Sequence, residues 1–130
     1  MNGLETSFTN YVADVEIDTY RNTACDGGGL DTTEDKFFLA GRNELFMTQE
    51  GADNGVPFEL YKQESISPTA HTGADPIRIK KTSGSAAYWW MRSPTVATAY
   101  AARTVISTGG LSDGLTAYSS GGVAPCFVIA

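Results

Sequence analysis

The stretch Tyr88-Trp89-Trp90-Met91-Arg92-Ser93-Pro94 decides the fold. Four large apolar side chains in succession are closed by an arginine, a serine and a proline that cannot donate to a strand ladder. On an extended chain, neighbouring side chains point to opposite faces, so the two indoles stand on opposite sides of one strand. Such a strand is covered on both faces, or it offers one indole to a ligand. At least one tryptophan therefore belongs to the core. The expected cost of Trp90→Ala is about 3–5 kcal/mol, the range for truncating a core aromatic.

Moving toward the C-terminus, three β-prone segments follow at residues 99–107, 110–118 and 123–129. Gly109-Gly110 and Gly121-Gly122 sit where hairpin turns are needed. Moving the other way, Ile77 and Ile79 alternate with Arg78 and Lys80 as a short strand. Its basic residues Arg78, Lys80 and Lys81 read as a solvated edge. Residues 51–75 are rich in turn formers and read as an extended surface excursion. Phe37-Phe38-Leu39-Ala40 is a short apolar run suited to a buried strand, and residues 42–47 suit a helical turn. Three consecutive glycines at 27–29 demand a loop. Val15, Ile17 and Thr19 alternate with Glu16, Asp18 and Tyr20, the period of a half-buried strand. Leu4, Phe8 and Val12, spaced by four, suit a short helix over residues 3–12. The expected core is Phe37, Phe38, Leu39, Trp89, Trp90, Val105, Val123, Phe127 and Ile129.

A chain of 130 residues is the size of one domain, and 42% apolar residues suffice for a hydrophobic core. The net charge of −6 disfavours nucleic acid and anionic membrane surfaces, which need clustered Lys and Arg. No apolar run reaches the roughly 18 residues that span a bilayer. Met1-Asn2-Gly3-Leu4-Glu5 has neither the basic nor the apolar region of a signal peptide.

Catalytic patterns are missing from the sequence. His71 is the single histidine, in a loop context where solvent exposure is the expected state. Neither Cys25 nor Cys126 has a sequence-local basic partner to activate it. The two give at most one disulfide, with two unreactive thiols as the default reading. A copper oxidase related to formylglycine-generating enzymes would need reactive cysteines close together. Asp26, Asp31, Glu34 and Asp35 gather hard oxygens around the glycine loop, so a structural calcium ion is the one metal the pattern leaves open. The reading is therefore of a non-enzymatic domain without a cofactor.

The residues that carry a resemblance are Asp26 to Leu39, Thr72 to Lys80, Tyr88 to Pro94 and Gly122-Val-Ala-Pro125. In this order they resemble a family of domains common in gut Firmicutes and their phages, similar to C-type-lectin-like domains. Many of those domains are variable proteins targeted by diversity-generating retroelements. The resemblance implies a compact α+β, C-type-lectin-like fold over residues 1–130, with one or two short helices and short antiparallel strands. It also implies that residues 95–124 form a diversified ligand-binding face, displayed on a virion or bacterial cell surface. Related proteins include trimers as well as monomers, so a homo-oligomer fits.

Adenine-directed diversification of Asn codons yields codons that never encode Lys, Glu, Gln, Met or Trp. None of the five occurs from Thr95 to Ala124, although all occur earlier. The candidate contact residues are Thr98, Tyr100, Ala101, Thr104, Ile106, Ser107, Ser112, Asp113, Leu115, Thr116, Tyr118 and Ser119. Tyr for rigid area, with Ser, Thr and Gly for adaptable hydrogen bonds, is the make-up of binding surfaces. The partner expected is a host-surface protein or glycan. The other reading is a structural virion component, a decoration or tail-associated protein without a separate ligand.

Overall fold

Short antiparallel pairs, joined by long irregular loops, make up the molecule. The computed structural model describes residues 6–47, 55–62, 73–95 and 98–130. A single-turn helix, α1 (Thr6–Thr9), precedes the pair β1 (Val15–Tyr20) and β2 (Leu30–Asp35). Next come β3 (Phe38–Leu39), then β4 (Lys80–Thr82) and β5 (Ser85–Ala87), which pair with each other. β6 (Trp89–Pro94), β7 (Ala101–Val105) and β8 (Leu111–Thr116) form a three-stranded sheet with β7 in the middle. β9 (Pro125–Cys126) returns along the whole chain to pair with β3.

Local chemistry explains several of these joints. The β4–β5 turn is Ser83-Gly84, with φ of 50° and 84°, the left-handed pair that a two-residue hairpin requires. The β7–β8 turn closes through Ile106 N–H to Gly110 O (2.9 Å) and Gly109 N–H to Ile106 O (2.8 Å). Gly109 has φ 81°, and a Cβ there would sit 1.9 Å from the Asp75 carbonyl oxygen. Only glycine fits that position.

The expected α+β, C-type-lectin-like fold is not what the chain adopts: strands take 39% of the residues and helix 9%. Two sites show why. Residues 11–13 give their backbone groups to the C-terminal segment, through Ala13 N–H to Val128 O (2.9 Å) and Ala130 N–H to Tyr11 O (2.8 Å). A short helix is marginal without tertiary support, and the one expected over 3–12 ends at Thr9, short of Val12; residues 3–5, Leu4 among them, lie outside the described residues. At 42–47, Phe46 adopts φ 57°, which no right-handed helix accommodates. The chain there coils as irregular turns, with Met47 N–H bonded to Arg42 O (3.1 Å).

The core gathers Ala40, Leu45, Phe46, Met47, Tyr61, Trp89, Met91 and Val105, with Phe58, Leu111, Ala124 and Cys126 packed against it. Trp89 is the core indole. Its Nε1 donates to the Arg78 carbonyl oxygen (2.9 Å), and Lys80 Nζ lies 5.9 Å from its ring centre. Trp90, on the other face, is only half-buried. Gly121-Gly122 is not a hairpin turn. It runs beside β6, with Gly122 N–H bonded to Tyr88 O (2.7 Å) and Trp90 N–H to Gly122 O (2.9 Å). A Cβ at Gly121 would meet Trp90 Nε1 at 2.6 Å, so glycine lets this segment lie against the indole.

Other expected core positions are corrected. Phe37, Phe38 and Leu39 are half-buried, while Val123, Phe127 and Ile129 are exposed. The surface excursion is also partly core, since Tyr61 is buried and Phe58 packs beside it. Arg78 reverses its expected role most sharply. Asp75 caps a 3-10 turn at Pro76–Arg78 by accepting from Ile77 N–H (3.1 Å). The turn leaves Ile77 exposed and buries Arg78 completely. Its guanidinium donates to Gly109 O (2.7 Å), Leu45 O (3.1 Å), Phe46 O (3.2 Å) and Gly73 O (2.7 Å). Arg92 plays a similar part, gripping Glu44 with both Nη atoms (2.6 and 2.8 Å) and donating to Leu39 O (2.9 Å) and Asp18 O (3.1 Å).

Candidate binding surface

The β7–β8 hairpin carries most of the residues that the sequence singled out. Its register runs Ala101↔Thr116, Ala102↔Leu115, Thr104↔Ser112 and Val105↔Leu111. Between Ser112 and Leu115 β8 holds one residue more than β7 does opposite, a bulge that re-aims the strand. Gly114 sits in that bulge with φ 125°, and a Cβ there would meet Thr95 Cγ2 at 2.6 Å.

The open end of the hairpin is tied down by backbone bonds. Ala117 N–H donates to Tyr100 O (2.9 Å) and Ser119 N–H to Thr116 O (2.8 Å). The Thr116 and Ser119 hydroxyls are 2.8 Å apart. The loop before β7 is braced from the interior: the Thr95 hydroxyl lies 2.9 Å from Thr98 O and 3.0 Å from Ala101 O. Buried Asn22 donates to Thr98 O (2.8 Å) from a loop 76 residues away in sequence, and its own side-chain oxygen accepts from Ala24 N–H (2.7 Å). On this fixed frame Tyr100 is 65% exposed and Tyr118 is 88% exposed. Rigid backbone and solvent-facing rings coincide here.

The remaining candidates divide. Thr98, Ala101, Ile106, Ser107, Ser112, Leu115, Thr116 and Ser119 are half-buried, each with some surface to offer. Asp113 contributes its backbone to β8, and its side chain lies outside the described part. Thr104 is fully buried and is not a contact residue. It stands on the middle strand, opposite Trp90 on one side and Ser112 on the other, so its cross-strand neighbours close over it. Its hydroxyl has no hydrogen-bond partner among the described residues.

Two hollows were not anticipated. One, of about 400 Å3, is lined by Thr82, Ala87, Tyr88, Ser120, Gly121 and Gly122, just beyond Tyr118 along the chain. Its signal in the sequence was a Ser-Ser-Gly-Gly run that must come close to Tyr88-Trp89-Trp90. The other, of about 500 Å3, is formed by Phe8, Phe37, Phe38 and Leu39 on one side and Val123, Pro125 and Phe127 on the other. It is lined by five of the residues expected in the core, Phe37, Phe38, Leu39, Val123 and Phe127, which explains their exposure.

Chemistry elsewhere is mild. Asp26, Asp31, Glu34 and Asp35 do not converge: Asp31 lies 3.8 Å from Arg21, Asp35 accepts from the Thr33 hydroxyl (2.6 Å), and Asp26 from the Cys25 thiol (3.2 Å). Among the described residues no three His, Cys, Asp or Glu side chains gather as a metal site. Both cysteines are free thiols. The hydrogen bond to Asp26 raises the Cys25 pKa, and burial raises that of Cys126. Both shifts favour the unreactive protonated form. His71 lies outside the described residues, and no described helix is long and apolar enough to cross a membrane.

The fold and this surface define a small, strand-rich, loop-heavy domain that holds a tyrosine-bearing hairpin end on a braced frame. The chain belongs to the family described as a domain of unknown function (DUF6273), whose model matches residues 1–130. No curated protein and no solved structure matches it.

Proposed function

We propose that this domain is a non-enzymatic binding module that touches a host-surface protein or glycan through the hairpin end bearing Tyr100 and Tyr118. The reading rests on one observation above all. Two tyrosines project into solvent from a backbone fixed by Asn22, Thr95 and the β7–β8 ladder. Tyrosine gives large contact area with few rotatable bonds, so little ordering entropy is lost on binding. The Thr116 and Ser119 hydroxyls and the hollow beside Tyr88 add hydrogen-bonding and stacking groups nearby. A face of hydroxyls, rings and small side chains suits recognition better than proton transfer.

In the same reading, residues 95–124 are diversified by a retroelement, and the domain sits on a phage particle or bacterial surface. Support comes from the absence of Lys, Glu, Gln, Met and Trp in this segment, and from the exposure of Tyr100 and Tyr118, while Val105, Leu111 and Ala124 of the same segment serve the core. A face that is dispensable for folding can change without collapse.

The test uses fluorescently labelled protein on bacterial cells and on arrays of glycans and surface proteins, comparing wild type with Tyr100→Ser/Tyr118→Ser. The expected result is saturable binding by wild type and at least a tenfold loss in the double variant. Because both rings are mostly solvated, the melting temperatures should agree within about 2 °C. Equal binding by the two proteins refutes this face. For diversification, the encoding DNA should lie near a template repeat that differs at adenines; a locus without one removes that part.

A further inference from the structure

The C-terminal segment around β9, residues 123–129, is apolar on both sides. Ala124 and Cys126 pack against the core, while Val123, Pro125 and Phe127 face the other way into the phenylalanine hollow. Ile129 is 60% exposed, and Val123 is 68% exposed. A contiguous exposed apolar patch of this kind marks an interaction site. The outer face is also preformed. Phe127 meets Phe8 and Phe37 edge-to-face, at centroid distances of 5.3 and 5.9 Å, so the rings hold one another in place. Val128 extends the patch into an adjoining hollow with Phe38 and Phe58.

We propose that a second copy of the chain covers this face, in a two-fold dimer that seats the Val123–Phe127–Ile129 row of each protomer over the phenylalanine hollow of the other. Shape supports a second copy. A two-fold interface needs one patch to be self-complementary, and here Val123 and Phe127 stand out from the rim of the hollow they line, with exposed Ile129 near them in the chain. Area supports it as well. The solvated parts of Val123, Phe127 and Ile129, with Pro125 and the half-buried rings beside them, come to roughly 500 Å2 per protomer, so a dimer would bury about 1,000 Å2, the threshold for a weak specific interface. Charge points the same way. Two chains of net charge −6 repel, yet none of the described residues lining the hollow is charged. Copies can therefore meet on this face without burying a charge. Val123 lies within residues 95–124, but none of the residues involved is among the candidate contacts and none is Tyr100 or Tyr118, so loss of the dimer and loss of ligand binding are read separately.

The experiment is sedimentation velocity on the full chain from about 1 µM to 1 mM, a span matched to an interface of modest size. Val123→Lys is the main variant, Ile129→Lys the second and Tyr118→Lys the control. All three sites are largely solvated, and melting curves check that each variant stays folded. The wild-type mass should rise from one chain toward two and stop there. Val123→Lys and Ile129→Lys should each weaken the association at least tenfold, and Tyr118→Lys should leave it unchanged. A wild type that stays monomeric throughout, an association that continues past two, or a dimer insensitive to both lysines overturns the proposal. So does a dimer lost in Tyr118→Lys.

Discussion

Replacing Arg78 with methionine tests how the fold is held together. Methionine keeps much of the length of the side chain and its apolar stem but removes every donor. Four carbonyl oxygens, on Gly109, Leu45, Phe46 and Gly73, would lose a cationic partner in a fully buried site. Asp75, 3.9 Å away and itself buried, would lose the charge beside it. Hydrogen bonds to charged groups each contribute about 1.5–3 kcal/mol net. Their sum is offset in part, because burial already disfavours the guanidinium charge, as its lowered pKa reflects. The balance is a loss of about 4–6 kcal/mol, a large share of the 5–15 kcal/mol of an ordinary domain. At about 3–5 °C per kcal/mol for this size, Tm falls by about 12–30 °C. Arg78→Lys keeps the charge but concentrates its donors on one atom, so about half that loss is expected. Calorimetry gives the melting point. Tryptophan emission reports the same site, since Trp89 Nε1 bonds to the Arg78 carbonyl at 2.9 Å. An Arg78→Met protein melting within about 3 °C of wild type, or an Arg78→Lys protein matching wild type, refutes the reasoning.

Other outcomes follow from the same packing. Trp89→Ala should destabilise by about 3–5 kcal/mol in denaturant titrations, while half-buried Trp90→Ala should cost about half as much; a reversed order would contradict the core assignment. Thr104→Val replaces a buried hydroxyl that lacks a partner among the described residues with a methyl of similar shape, so it should stabilise by about 1 kcal/mol. A clear loss of stability in that variant would show that the hydroxyl is bonded. Burial raises the folded Cys126 thiol pKa, with Glu44 adding to the shift, so the unfolded chain releases its proton first as pH rises. Stability should thus fall with pH above about 8.5, the ordinary thiol value. The profile of Cys126→Ala should be flatter over that range, and parallel curves would exclude the thiol as the cause.

The sequence was most legible where a period of two met a strong boundary. β1, β7 and β8 lie within the segments read as strands, the turn at Gly109-Gly110 is a hairpin, and Gly27-Gly28-Gly29 is a loop with φ of 73°, 72° and 87°. It was least legible where a polar group did the work of a core residue. Arg78 between two isoleucines looks like the outward side of a strand. The Asp75-Pro76 cap turns the chain there, and no hydropathy pattern carries that information. β2, Leu-Asp-Thr-Thr-Glu-Asp, was hidden by its polarity; it is exposed along nearly its whole length and joined to β1 partly by the Thr32 hydroxyl on Asp18 (2.7 Å). The apolar run at 123–129 misled in the opposite sense. Composition shows that such a strand wants cover but not whether its own chain supplies it. Among the candidate contacts, the exposure of Tyr100 and Tyr118 fits their composition, whereas burial of Thr104 depends on a cross-strand register that only the fold reveals.

These features connect through the hydrogen-bonding demands of a loop-rich chain. Loops leave carbonyl oxygens that no ladder satisfies, and each one buried without a partner is costly. An arginine offers five donors in a planar fork, enough to serve several loops at once. Arg78 joins the turns at 45–46, 73 and 109, and Arg92 joins β1, β3 and Glu44. The strands are thus locked from inside by one fully buried arginine, Arg78, and one mostly buried, Arg92. Hence the outward side chains near Tyr100 and Tyr118 carry little of the stability, and their identity can be set by what they touch instead. If that division is right, losses of stability from substitution should concentrate at Arg78, Arg92, Glu44 and Trp89, and losses of binding at the two tyrosines, with little overlap between the two sets.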